Sequence, residues 1–112
     1  MEPRSFLRAP VHSVSELLAQ LRTDPTVRTR YRALYGAEDA AIDRAFQGLR
    51  LKRLTQTHRL SVWFYGSPSD IDARDHVVQK GTEVFVDRTG RPVLKRSCGN
   101  PFTTRLPHGV PV

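Results

Sequence analysis

The chain has 112 residues, a formal net charge of +7 and a single cysteine. That length suits one domain with a modest core and excludes two, while the lone thiol excludes an internal disulfide and leaves no second cysteine for a metal site. No apolar run approaches the roughly 18 residues of a membrane helix, and the opening MEPRSFLRAPVHSV lacks the continuous apolar stretch of a secretory signal, which favours a cytoplasmic location.

Residues 1–12, with Pro3 and Pro10 among scattered arginines, read as an irregular lead-in, and residues 13–49 as a helical half. Ser13-Val14-Ser15-Glu16 has the form of a capping box, in which Ser13 accepts from the third helical N–H and Glu16 reaches back. Val14, Leu17, Leu18 and Leu21 follow as one apolar stripe. Asp24 and Pro25 read as the N-cap and first residue of a second helix, striped by Val27, Tyr31, Leu34 and Tyr35 and stopped by Gly36. A third helix opens with Glu38 and Asp39 at its positive end and carries Ile42, Ala45, Phe46 and Leu49 on one side.

At Gly48 the period changes, and residues 50–100 read as a β half. Leu49, Leu51 and Leu54 are spaced like a strand entering a sheet. Arg59 to Tyr65 (RLSVWFY) is the strongest strand signal, with Leu60, Val62 and Phe64 on one face and Ser61, Trp63 and Tyr65 on the other. Gly66 to Asp70 reads as a loop, Ala73 to Gln79 as a further strand with Val77 or Val78 inward, and Lys80-Gly81 as a turn. Glu83–Asp87 and Arg91–Lys95 alternate as paired strands around Arg88-Thr89-Gly90, where Gly90 suits a left-handed bulge position. Pro92 lacks an N–H and belongs at an edge or beside a bulge. Cys98-Gly99-Asn100-Pro101 forms a compact turn, and residues 101–112 read as an extended, partly loose tail. The whole is a single α+β domain over 1–112: three short helices packed on a small four-stranded antiparallel sheet or a partly closed barrel.

No catalytic or metal constellation assembles from these residues, so neither an enzyme nor a cofactor is expected. Lys95 and Arg96 beside Cys98 would favour a thiolate, but His12, His58, His76 and His108 have no spacing that pairs one of them with it as a base. A small buried residue in a tight turn is the simpler reading. Asp87 reads as a turn-stabilising Asx residue. Asp70, Asp72 and Asp75 lack the glycine and glutamate that a calcium loop requires.

The charge is lopsided: residues 1–49 hold seven arginines against six acids, whereas 50–112 hold eleven lysines and arginines against five. Such an excess suits a polyanion, an anionic lipid or an acidic partner. Arg50, Lys52, Arg53, Arg59, Lys95 and Arg96 supply cations, Arg28, Arg30 and Arg32 add to them, and Trp63 and Tyr65 on an outward strand face would stack bases. A helix-turn-helix is excluded, because Glu38, Asp39 and Asp43 would face phosphates. The expected function is a small basic, non-catalytic binding or interaction module for a protein partner or for self-association. A nucleic-acid-binding accessory protein using the basic β half is the alternative. Asp87, Gly90, Cys98, Gly99, Asn100 and Pro101 are expected to serve the fold.

Gly81, Thr82, Val84, Val86, Asp87, Gly90, Pro92 and the run Cys98-Gly99-Asn100-Pro101 together form a pattern. Through it the chain resembles, over roughly residues 55–105, the DUF6777 type of uncharacterised bacterial domain. The resemblance implies a β-rich fold and no activity. It departs at Arg96, where the pattern carries a second cysteine, so whatever that pair does elsewhere Cys98 cannot do alone. Domains of this type are similar to exported or membrane-tethered proteins, which pulls against the cytoplasmic expectation.

Overall fold

The structure, a computed structural model, describes residues 4–107. Its first half is three helices, α1 (Val14–Thr23), α2 (Pro25–Tyr35) and α3 (Asp39–Gln47). Ser13 Oγ accepts the Glu16 N–H at 3.1 Å, and the Glu16 carboxylate turns back one residue beyond the cap to accept the His12 N–H at 3.3 Å. Asp24 serves two helices: its N–H closes α1 on the Gln20 carbonyl, and its carboxylate accepts the Thr26 N–H at the start of α2. Of the expected stripes, Leu17 and Leu21 from α1, Val27, Tyr31 and Leu34 from α2, and Ile42, Ala45 and Phe46 from α3 are buried, while Val14, Leu18 and Tyr35 are half-buried at the margin of the core.

Five strands follow: β1 (Arg50–Arg53), β2 (His58–Ser67), β3 (Asp70–Val78), β4 (Glu83–Val86) and β5 (Pro92–Lys95). The fold is α+β as expected, its strands forming two small antiparallel sheets instead of one, in the order β1-β4-β5 and as a β2-β3 hairpin, with no closed barrel among the described residues. The reason lies in β4. Phe85 joins the core beneath the helices, while its neighbours Val84 and Val86 join a second core with Leu54, Val62, Val78 and Phe102. Successive residues of a strand point to opposite faces, so both faces of β4 are buried. Helices cover one face and the β2-β3 hairpin the other, and a single sheet cannot place its own strands over itself in that way.

The segment expected to be a loop from Gly66 to Asp70 is mostly strand. β2 and β3 stay paired as far as Ser67 opposite Asp70, with a register shift between Tyr65 and Ser67 that takes up Gly66. Only Pro68 and Ser69 remain as the turn, and β3 starts at Asp70 rather than Ala73. Of the two candidate inward valines, Val78 is buried and Val77 is 50% exposed. Pro92 sits beside a register shift between Phe85 and Val86, on the outermost strand of its sheet, as its missing donor requires.

Both irregular ends are built into the core. Phe6, Leu7 and Val11 of the lead-in are buried with the helices. The expected loose tail is instead an ordered strap over residues 100–107: Lys95 N–H donates to the Asn100 carbonyl, Phe102 N–H donates to the Val93 carbonyl, and Leu94 bridges to Pro101. Pro101, Phe102 and Pro107 are buried. The expectation for 108–112 falls outside the described residues.

Candidate functional site

Cys98 to Pro101 is the junction to which three other parts of the chain are fastened. The Cys98 carbonyl accepts the Leu7 N–H at 3.0 Å, and the Asn100 side-chain carbonyl accepts the Phe6 N–H at 2.9 Å. The Pro101 carbonyl accepts the Trp63 N–H of β2 at 2.9 Å. From α2, Tyr31 Oη donates to the Gly99 carbonyl at 2.7 Å. Burial pushes the Tyr31 phenol well above its ordinary range, with Tyr35 and Cys98 nearby adding to the effect and Arg30 opposing it, so the hydroxyl stays protonated and stays a donor. Cys98 itself is 1% exposed, a position that closes the thiol to a substrate at the surface.

Asp87 organises the β4-β5 turn. Its Oδ1 accepts from the Thr89 N–H, the Thr89 hydroxyl and the Arg91 N–H at 2.9, 2.6 and 3.1 Å. Gly90 takes a φ of 87° and donates its N–H to the Asp87 carbonyl, closing the turn that the sequence predicts. Burial acts to raise the Asp87 carboxyl, but the hydrogen bonds from Thr89 and Arg91 and the Arg91 charge outweigh it and leave the group below the ordinary carboxylate range. Asp87 is thus a turn anchor, its donors already in place.

Apart from the exposed Arg44, the cations of the helical half are engaged within the fold. Arg22 holds Asp43 through two contacts at 2.7 and 3.0 Å, which lowers the Asp43 carboxyl against its partial burial, with Gln47 assisting. Arg28 donates to the Leu21 and Arg22 carbonyls, Arg28 and Arg32 both lie 3.6 Å from Asp39, and Arg30 donates to the Ser5 carbonyl. Arg4 bridges Asp70 and Asp72 at 3.0 and 2.6 Å, which accounts for two of the three β3 carboxylates. Among the described residues no group of three or more His, Cys, Asp and Glu is placed to hold a metal ion.

The residues expected to form one binding surface divide. Arg50, Lys52 and Arg53 lie together on β1, all exposed, and none has an ion-pair partner among the described residues. Arg59 is exposed too, but on β2 in the other sheet. Lys95, half-buried, shares a cross-strand row with Lys52 through Val84. Arg96 is turned inward: its guanidinium donates to the Val11 carbonyl at 2.7 Å and lies 3.3 Å from Glu83. Trp63 and Tyr65 do not face outward. Both pack against the larger core, Tyr65 edge-on to Phe6 at 5.7 Å and under the Arg30 guanidinium at 5.4 Å. Phe6 of the lead-in and Arg30 of α2 cover Tyr65 on the face of β2 that period-2 reading leaves open, and the lead-in has no period by which to announce itself.

One basic residue escapes sequence reading. Arg88, in the β4-β5 turn, lines a cleft of about 440 Å³ together with Arg50 and the C-terminal end of α3. Its link to Arg50 exists because β1 pairs with β4 so that Arg50 lies opposite Val86, next to that turn. A pairing between strands so far apart in the chain leaves no local signal. A second cleft, of about 390 Å³, gathers Arg4, Arg8, Arg30 and Tyr65, but the arginines there already face Asp70, Asp72, Asp24 and the Ser5 carbonyl.

Among the described residues no helix is long and apolar enough to cross a membrane. No curated protein and no solved structure matches the chain. The model of one family, described as a domain of unknown function (DUF6777), matches residues 8–110, extending the expected resemblance through the helical half and the tail, and the chain therefore belongs to that family.

Proposed function

We propose that this domain is a small non-catalytic interaction module whose basic β1 edge takes an acidic partner. The observation that carries the reading is the uneven use of charge. Six of the seven arginines of the helical half and lead-in face carboxylates or carbonyls, Arg44 being the exception, whereas Arg50, Lys52 and Arg53 stand side by side, exposed, without an ion pair among the described residues. Arg88 extends the same basic corner. Cations already facing carboxylates gain little from a further anion, while unneutralised neighbours on a strand sum their fields at one place.

A nucleic-acid reading rests on the same cations. With Trp63 and Tyr65 packed on the core, its base-stacking component has no support, and what remains is phosphate contact. The test is a titration of polyglutamate and of double-stranded DNA against the parent protein and an Arg50→Gln/Lys52→Gln/Arg53→Gln variant. The expected result is saturable polyglutamate binding that weakens with salt and falls about tenfold or more in the variant, with unchanged Tm. Preference for DNA over polyglutamate at equal ionic strength favours the nucleic-acid reading. Equal affinity of parent and variant for both polyanions rejects the β1 surface altogether.

A further inference from the structure

The edges of the two sheets are not equally covered. On β5 the strap closes the outer edge, through Lys95 N–H to the Asn100 carbonyl and Phe102 N–H to the Val93 carbonyl. On β2 the Trp63 and Tyr65 N–H groups donate to the Pro101 and Arg4 carbonyls. β1 has no such cover among the described residues. Leu54 exchanges bonds with the β4 side, its N–H donating to Thr82 and its carbonyl accepting from Gly81, so the alternate residues Lys52 and Arg50 also turn toward β4. Leu51 and Arg53 then direct their N–H and C=O groups away from the sheet. Across the ladder, the Glu83 carbonyl opposite Arg53 accepts the Arg96 N–H on the β5 side, which fixes the same phase.

From this edge we infer that the acidic partner binds as an added strand, an extended acidic segment laid along β1 with its backbone bonded to Leu51 and Arg53. The inference rests on the reading of β1 as the docking surface and adds the mode of docking. An open edge is a template for another strand, and cations on it select against most comers. A second β1 would bring Arg50, Lys52 and Arg53 against their own copies and is repelled. A strand carrying carboxylates on alternate residues places them beside Arg50 and Lys52, which share one face of β1, and satisfies the outward N–H and C=O groups together. The outer edge of β3 also lacks cover among the described residues, but Asp70 and Asp72 are already held by Arg4 and Asp72 faces Arg74 as well, which leaves Asp75 as its one carboxylate without an ion pair among the described residues, against three such cations on β1.

The probe is an acetylated eight-residue peptide alternating glutamate with valine, with a lysine-valine peptide as control, and the readout is amide hydrogen exchange of the full chain. Strand addition slows exchange at Leu51 and Arg53 by at least about tenfold at saturating peptide, while Arg50 and Lys52, bonded to β4 beforehand, change little. A Leu51→Pro variant keeps all three cations, removes one outward donor and leaves the β1-β4 ladder intact; it is expected to bind the peptide about fivefold more weakly, at an unchanged Tm. Peptide binding without new protection at Leu51 and Arg53 overturns strand addition and leaves the acidic-partner reading standing. Absence of any glutamate-dependent binding at millimolar peptide overturns both.

Discussion

Gly99→Ala is expected to lower the melting temperature by roughly 15 °C, whereas Gly90→Ala lowers it by roughly a third as much. Both glycines hold a positive φ, 70° and 87°. An alanine at either position adopts a conformation that costs an L-residue about 1–2 kcal/mol. What separates them is the space beyond. A Cβ at Gly90 meets nothing within 4 Å. At Gly99 it runs into the Tyr31 hydroxyl and the Leu7 side chain, both fully buried. Neither neighbour has room to move, and forcing a methyl into a packed core adds about 1–3 kcal/mol to the backbone term. The clash also displaces the Tyr31 hydroxyl from the Gly99 carbonyl and pushes Leu7 off Cys98, so the lead-in and α2 both loosen at the junction. Equal loss from the two substitutions in a thermal melt would mean that the Cys98–Pro101 turn does not hold these segments together.

Replacement of Asp87 by alanine is expected to cost about 2–3 kcal/mol, since one oxygen serves three donors and an anionic acceptor makes each bond stronger than a neutral one. Asp87→Asn keeps an acceptor and loses the charge, so its cost is about 1 kcal/mol. The pair differ in pH dependence as well. The folded carboxyl lies below its unfolded value of about 3.9, so its stabilisation is complete above that value and is lost as pH falls through the lower folded one. Asp43, lowered by Arg22, contributes in the same direction and is unaffected by the change. Urea unfolding of parent and Asp87→Asn should therefore differ at neutral pH and converge in acid. A gap that stays constant down to pH about 2 would contradict a charged Asp87 anchor.

What the sequence discloses in this chain follows periodicity. The helix stripes of Leu17 and Leu21, of Val27, Tyr31 and Leu34, and of Ile42 and Phe46 are buried as their spacing requires. The cap at Ser13, the doubled role of Asp24 and the turn at Asp87 are equally local, because each joins groups within a few residues of one another. Apart from the Gly66–Asp70 stretch, read as a loop and largely strand, the misreadings are long-range. Phe6, Leu7 and Val11 lie among prolines and arginines without a repeat, yet they enter the core, the first two fixed by the Asn100 side-chain and Cys98 backbone carbonyls and the third by the Arg96 guanidinium on its own carbonyl. Phe6 of the lead-in and Arg30 of α2 cover Tyr65, and Trp63 packs on the same core, where alternation alone assigns both to solvent. At the candidate site, Arg50, Lys52 and Arg53 are legible as adjacent cations. Their place at an open edge depends on β1 choosing β4 rather than the longer and more apolar β2, a choice made by packing on both faces of β4. Arg96, counted with them from sequence, is withdrawn by Val11 and Glu83, and neither is near it in the chain.

The most direct test of the β1 edge as the interaction surface is a map of backbone amide shifts in the ¹⁵N-labelled chain during titration with polyglutamate at low salt. Shifts are expected to centre on Arg50 to Arg53, to extend to Arg88, and to fade as salt is raised. A map centred instead on a cleft of the helical half, on Arg4, Arg8 and Arg30 or on Arg22, Arg28 and Arg44, would contradict the assignment.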